Sequence, residues 1–230
     1  MIADAVLKAV GQLGDPRFRR VLVLGIGLTV ALLVGVTALF VWLVGWFVPD
    51  SVTLPWIGEI VWVGGVLSWA VVPLMLVLSV FLMVPVASAF TGIFLDDVTD
   101  AVEARHYPGL DPAPGVPFAT ALRDSAAFLT VIVAANLAAL VPYILLAPLA
   151  PVIFLALNGY LLGREYFQLI AMRRLGRAGA RAARRRNAGT IWLAGAVMAL
   201  PLAVPVVNLL VPVIGAAAFT HLFHRLEGRM

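Results

Sequence analysis

Two long stretches without a charged residue constrain this chain more than any other feature. The first runs from Val21 to Val48 and holds 28 residues, and the second runs from Ile60 to Leu95 and holds 36. About 20 apolar residues in a helix are enough to cross the hydrocarbon core of a bilayer. Hydrophobic residues make up 63% of the chain and charged residues 12%, which excludes an ordinary water-soluble domain. The sequence predicts an all-α integral membrane protein that forms a single membrane domain, residues 1–230.

The first half of the chain is predicted to hold an interfacial helix and two long transmembrane helices. Residues 1–14 place apolar residues on one helical face, with Asp4, Lys8 and Gln12 on the other, as in a helix that lies in the membrane surface. Asp15 directly before Pro16 is typical of a helix N-cap followed by proline at the first helical position. The spans are predicted at residues 16–48 and 60–106, joined by a loop rich in proline and tryptophan.

The second half is predicted to form two proline-broken helical hairpins, residues 118–172 and 188–225. The apolar stretch from Ala126 to Val141 has 16 residues, or about 24 Å of helix, which is short for a crossing. Hairpins that enter the membrane and return fit this length. Pairs of short helices that cross fully also return the chain to its starting side, and the sequence does not separate the two arrangements.

Basic residues indicate the orientation of the chain. The loop between the two spans, residues 49–59, has no lysine or arginine, whereas basic residues precede the first span and follow the second. Cytoplasmic loops carry the excess of lysine and arginine. We therefore expect a multi-pass protein with its N- and C-termini in the cytoplasm.

Enzyme and cofactor chemistry has little support in the sequence. No motif for nucleotide binding, nucleophilic hydrolysis or zinc binding is present, and there is no cysteine. His221 and His224 could share a metal by their spacing, but we expect interfacial histidines that reach the head groups. We expect no enzyme activity, no cofactor and no metal site, and Glu59 lacks a partner for intramembrane catalysis.

The candidate substrate site is an arginine cluster in the first turn of the first span. Arg17, Arg19 and Arg20 crowd the positive end of a helix dipole, where cations are unfavourable and an anion would be stabilised. Guanidinium groups and free backbone N–H groups suit a tetrahedral oxyanion such as sulfate. The alternative is an anchor that touches lipid head groups and marks the cytoplasmic side.

Other polar residues in apolar surroundings are candidates for a pathway. Glu103 and Arg105 follow the second span in an acidic stretch that we interpret mainly as a solvated helix end, with the pair as a possible pore lining. Asn136 and Asn208 lie in the hairpins and suit either pore lining or hydrogen bonds between helices, as does Asn158. The arginine-rich stretch of residues 172–186 is interpreted as a surface for anionic lipid head groups, with no support for nucleic-acid binding.

Three stretches of the chain resemble the CysZ-type sulfate permeases of bacterial inner membranes. They are PRFRR at residues 16–20, AFTGIFLDDVTDAVEARHYPG after the second span, and LPLAVPVVNLLVPVIGAAAFTHLF near the C-terminus. The resemblance implies two long spans with hemi-penetrating hairpins, a homo-oligomer, and sulfate uptake for cysteine synthesis. It places Arg19 and Arg20 as the sulfate-contacting pair. Arg17 stands where the family often has glycine.

Two functions follow as hypotheses. The first is a channel-type sulfate permease of the bacterial inner membrane, with Arg17, Arg19 and Arg20 as its anion site. The second is a non-transporting membrane protein that organises anionic lipid or a partner protein.

Overall fold

The computed structural model describes four continuous segments and several shorter pieces of the chain. The segments are residues 1–21, 94–115, 117–204 and 210–228, and the pieces are residues 23, 24, 27, 31, 34, 35, 38, 39, 42, 52–54, 58–60 and 207. The apolar part of the predicted second span, residues 61–93, and Asn208 lie outside the described residues.

The N-terminal region contains two helices and a short strand pair. Helix α1 is Ile2–Gly11. Helix α2 begins at Pro16, and every described position from there to Trp42 is helical. The Arg17 N–H donates to Asp15 Oδ1 at 2.9 Å, which confirms Asp15 as the helix cap. Strands β1, Val52–Leu54, and β2, Gly58–Ile60, pair antiparallel in the predicted loop, so the fold is helical apart from this small hairpin.

Five further helices complete the described fold. Helix α3 is Asp96–His106, α4 is Phe118–Leu145, α5 is Ala150–Arg186, α6 is Ala188–Ala199 and α7 is Val211–Leu226. Short 3₁₀ turns, Ala147–Leu149 and Leu200–Ala203, follow α4 and α6 at the prolines that break each predicted hairpin. The return helix α5 is broken at Gly176, shortly after the predicted end of the first hairpin at residue 172, and helical residues continue to Arg186.

The two hairpins differ in the length of their arms. Helix α4 contains the apolar segment Leu122–Leu145, whose 24 residues extend about 36 Å, and Ala147–Arg186 also has the length and composition to cross a membrane. The expectation that the first hairpin begins with a short helix is wrong, because the helix continues beyond the uncharged stretch at both ends. Helices α6 and α7 have 12 and 16 residues, or about 18 and 24 Å, which is short of a crossing.

Glycines allow the backbones of α5 and α6 to pack very close together. A Cβ atom on Gly163 would lie 2.4 Å from the Ile191 carbonyl oxygen, and one on Gly195 would lie 2.0 Å from the Gly159 carbonyl oxygen. Such contacts exclude any side chain at these positions, as in the close helix pairs of membrane proteins. The indole N–H of Trp192 on α6 also donates to a carbonyl oxygen of α5. The two hairpins are therefore joined along this seam.

The buried core lies around α7. Phe219 and Phe223 of α7 are almost fully buried, and Phe167 of α5 packs edge-on against Phe223. Helices α1, α3 and α5 contact α7, so Ala5 and Ala9 of α1 are buried against protein. Helix α4 is different, since large apolar side chains such as Ile144 are up to 77% exposed. An apolar face of this kind suits lipid or another protein.

A glycine in the left-handed region interrupts α5. Gly176 has φ of 65° and ψ of 177°, a conformation that residues with a Cβ rarely adopt. Residues 177–186 consequently run in a different direction from residues 150–175. This brings Arg184 next to Gln168 in the first part of the same helix.

Candidate anion site and the ionic cluster beside it

The three candidate arginines lie exposed on the first turn of α2. Arg17, Arg19 and Arg20 are all solvent-accessible. None of them takes part in an ion pair among the described residues. By contrast, ion pairs are formed by Arg105, Arg173, Arg174 and Arg225. Their guanidinium groups are thus available to an external anion.

The backbone at the start of α2 offers fewer donors than we expected. Pro16 has no N–H, the Arg17 N–H bonds the Asp15 carboxylate, and the Arg19 N–H donates to the Asp15 carbonyl oxygen at 3.0 Å. The Asp15 carboxylate occupies the place at the positive helix end that an anion would take. Recognition here depends on side-chain guanidinium groups more than on free backbone N–H groups.

Two clefts run between the start of α2 and helix α3. The larger has a volume of about 470 Å³ and is lined by Arg17 together with Asp100, Glu103 and Tyr107, among others. The smaller, about 280 Å³, is lined by Arg17, Arg20, Asp97 and Asp100. Arg17 and Arg20 therefore face acidic side chains across open space, whereas Arg19 lines neither cleft.

Glu103, predicted to line a pore, is buried at the edge of the larger cleft. Its Oε1 accepts a bond from Arg174 Nε at 2.9 Å and lies 2.8 Å from His224 Nε2, while its Oε2 accepts from Arg174 Nη2. Burial raises the pKa of this carboxyl, but the bonds from His224 and Arg174 outweigh it and lower the pKa to about 2. The expectation of a solvated helix end is wrong for Glu103, because α5 and α7 cover it.

The remaining candidates lie apart from this cluster. Arg105 is 56% exposed at its side chain and lies 3.8 Å from Asp15, so it does not pair with Glu103. The Asn136 amide donates to the Ile132 carbonyl oxygen at 2.9 Å on its own exposed helix. Asn158 makes the same local bond on α5. Among the described residues, neither Asn136 nor Asn158 forms a hydrogen bond to another helix.

The two C-terminal histidines are buried, which corrects the expectation that they reach the head groups. His221 Nδ1 lies 3.0 Å from the Tyr107 hydroxyl. The His106 ring packs edge-on against the His221 ring. Burial is the main cause that lowers the pKa of His221, to about 4, so the ring is neutral near pH 7. His224 is fully buried beside Glu103. Within the described residues, no three histidine or acidic side chains are arranged to hold a metal.

Part of the arginine-rich stretch is also buried, contrary to the interpretation of a lipid-facing surface. Arg173, with 1% of its side chain exposed, lies between Asp96 and Asp100 of α3, and Arg177 pairs with Asp124 at 2.7 Å. Sequence reasoning missed this cluster. The signal was present, since residues 96, 100 and 103 are acidic at helical spacing and can form one face against the arginines of α5.

A model of the family Sulfate transporter CysZ/Etoposide-induced protein 2.4 matches residues 5–212. The chain belongs to this family. The match covers α2 with its three arginines, the acidic helix α3 and the arginines of α5, and it confirms the resemblance found in the sequence. A comparison with curated proteins finds no match. Family membership together with the two helices of crossing length supports a membrane protein, and the family suggests a sulfate transporter-like function.

Proposed function

We propose that this protein is a sulfate permease of channel type, which admits sulfate across the bacterial inner membrane for cysteine synthesis. The observation that carries the proposal is the group of exposed arginines at the start of α2, which form no ion pair within the part of the chain that the structure describes. Arg17 and Arg20 line open clefts there, and sulfate has the charge and tetrahedral oxygens that guanidinium groups bind.

The carboxylates of α3 that face the arginines across the clefts favour a site that passes an anion on rather than one that binds it tightly. Asp97 and Asp100 face the same open space as Arg17 and Arg20, and their negative charge weakens the hold on an anion. A conducting site must bind well enough to admit an ion and weakly enough to release it. The mixed charge of this vestibule fits such a balance.

The pathway is proposed to form within a homo-oligomer whose termini are cytoplasmic. Helix α4 has an apolar face that is almost wholly unburied in the single chain, which suits contact with neighbouring copies or lipid. In this arrangement Glu103 stays a structural residue at the edge of the vestibule, and Asn136 and Asn208 remain candidates for the lining of the pathway.

Sulfate flux into proteoliposomes tests the proposal. We expect uptake of labelled sulfate above that of protein-free vesicles, and a loss of about tenfold or more in the Arg19→Ala plus Arg20→Ala variant, since each charge-assisted bond contributes roughly 1.5–3 kcal/mol. Arg123→Ala is the matched control, because Arg123 is exposed but lies on α4. Equal flux in protein-free vesicles, or full flux in the double variant, contradicts the mechanism.

A second candidate is a non-transporting protein that organises anionic lipid, which the exposure of the same arginines also fits. Equilibrium binding of labelled sulfate to detergent-purified protein, with phosphate and chloride as competitors, separates the two. Saturable binding that sulfate dominates supports the permease. Lipid binding without anion selectivity supports the alternative.

A further inference from the structure

The arginines of α5 divide into two groups. Arg173, Arg174, Arg177 and Arg186 are paired with carboxylates of other helices or of the C-terminal segment. A second group takes part in no ion pair among the described residues; its members are Arg164, Arg181, Arg184 and Arg185. The second group has positive charge that the described protein does not neutralise.

The break at Gly176 gathers this second group on one face of α5. Tyr160, Arg164 and Gln168 follow each other at intervals of four residues and so share a face. The folded-back segment places Arg184 Nε 3.3 Å from Gln168 Oε1, a contact between residues 16 positions apart. Arg184 therefore lies against the same face as Arg164, with Arg181 and Arg185 on its own segment.

Arg164 is held in place yet lacks a full set of partners. Its guanidinium carbon lies 5.4 Å from the centre of the Phe128 ring, and its Nη1 is buried with no hydrogen-bond partner among the described residues. The nearby Asp124 is paired with Arg177 through its Oδ1. The charge of Arg164 favours the charged form of Glu165, but burial outweighs this attraction and raises the pKa of the Glu165 carboxyl. A buried donor without a partner costs about 1–3 kcal/mol, more when it is charged.

Repulsion within the group adds to that cost. Burial is the main cause that lowers the pKa of Arg184, and the charges of Arg164, Arg185 and Arg181 lower it further, while Tyr160 acts in the opposite direction. An anion between Arg164 and Arg184 would satisfy the free Nη1 and replace repulsion with attraction on both sides.

We propose that Arg164 and Arg184, with Arg181 and Arg185 at the rim, form a second oxyanion site that binds a phosphate- or sulfate-type group. This site uses none of the residues of the α2 site and goes beyond the permease function. The ligand is either the phosphate of an anionic lipid head group or a free inorganic oxyanion, since both present the same tetrahedral oxygens to the two guanidinium groups.

Thermal unfolding of the detergent-purified full chain, titrated with soluble probes, tests the site. The probes are inorganic sulfate, inorganic phosphate, dihexanoyl phosphatidylglycerol, and zwitterionic dihexanoyl phosphatidylcholine as the control. All titrations use a background in which Arg17, Arg19 and Arg20 are all replaced by alanine, so that the α2 site does not contribute. Stabilisation by phosphatidylglycerol alone assigns a lipid head group, and stabilisation by the inorganic ions as well assigns a free oxyanion.

The variant Arg164→Gln plus Arg184→Gln, in that background, is expected to raise the half-saturating concentration of the active probe by tenfold or more. Arg123→Gln is the control for the loss of a positive charge, because Arg123 is exposed on α4 and takes part in no ion pair among the described residues, and it is expected to change nothing. If the glutamine variant fails to fold, Arg164→Lys plus Arg184→Lys keeps both charges and loses the planar guanidinium group, with an expected weakening of about tenfold.

No stabilisation by any anionic probe overturns the proposal, and so does equal stabilisation of the parent and of the variants at Arg164 and Arg184. Sulfate flux through the α2 arginines can survive or fail independently of this result.

Discussion

Arg174 and Glu103 form a two-pronged ion pair between helices α5 and α3. Arg174 Nε donates to Glu103 Oε1 at 2.9 Å while Nη2 donates to Oε2, and each side chain is only 9% exposed. Arg174 also donates to the Asp111 carbonyl oxygen, which fixes the loop after α3. With His224 on the remaining side, the pair connects three helices that are far apart in the chain.

Removal of the Glu103 charge is expected to destabilise the protein strongly. Glu103→Gln keeps the shape of the side chain but leaves Arg174 buried without a counter-ion, and loss of one partner of a buried pair costs about 3–5 kcal/mol. Glu227→Gln is the matched control, since Glu227 pairs with Arg186, which is 62% exposed. The control should cost less than about 1 kcal/mol. Thermal unfolding in detergent measures both, and equal losses would contradict a special role for Glu103.

The same carboxyl predicts a loss of stability in acid. The pKa of Glu103 is about 2 in the folded protein against an ordinary value of 4.5, so its contribution is complete above 4.5 and disappears as the pH falls toward 2. Unfolding free energy measured across this window should fall more steeply in the parent protein than in Glu103→Gln. Parallel curves would show that the carboxyl is not stabilised by its partners.

A separate pH window belongs to His221. Its folded pKa of about 4 lies below the ordinary 6.5, so between these values the unfolded chain binds a proton that the folded chain does not. Stability therefore decreases as the pH falls from 6.5 to 4. His221→Gln should flatten this part of the curve while leaving the part below pH 4 intact. A slope unchanged by the substitution would assign it to other groups.

The close packing of α5 on α6 predicts that a glycine-to-alanine substitution lowers stability at some positions of α6 and not at others. Gly195→Ala would place Cβ 2.0 Å from a backbone oxygen that cannot move aside, so the helices must separate. Overpacking of this kind typically costs about 1–3 kcal/mol. Gly189→Ala on the same helix has open space around its Cβ and should be neutral or slightly stabilising, because alanine favours helix. Thermal unfolding of the two variants compares them directly.

Replacement of Asp15 by serine is expected to strengthen anion binding at the start of α2. Asp15→Ser retains a side-chain oxygen to cap the Arg17 N–H but removes the negative charge beside the three arginines. We expect the Kd for sulfate to fall roughly three- to tenfold at low salt, as expected for a gain of about 1 kcal/mol at a surface site. Glu227→Gln removes a distant charge and controls for the change in net charge. Weaker sulfate binding in Asp15→Ser would contradict the position assigned to the anion.

The sequence predicted the elements of this fold better than their contacts. Asp15 and Pro16 marked the start of α2, and closely spaced prolines marked the turns after α4 and α6, since both are local effects. The positions of Glu103 and His224 were predicted wrongly because a charged or polar residue near a helix end is usually solvated. Their burial depends on α5 and α7, which pack against α3 from more than 70 residues away.

The candidate site was predictable only in part, for a similar reason. Three arginines at a helix start are visible in the sequence, and so is their unfavourable position relative to the dipole. The opposing carboxylates of α3 depend on how α3 lies beside α2. The position of Arg184 beside Gln168 depends on the helix break at Gly176. A lone glycine within an arginine-rich stretch does not reveal the direction in which the chain turns.

The packing of α1 on α7 has a consequence for biosynthesis. Arg225 bonds Asp4 across 221 positions of the chain, and Ala5 and Ala9 are buried on that side. At a translation rate of about 5–20 residues per second, the first helix emerges roughly 10–40 s before its partner is made. During that interval the apolar face of α1 has only the bilayer surface to cover it, so α1 and α7 can pack together only after the C-terminal helix has been made.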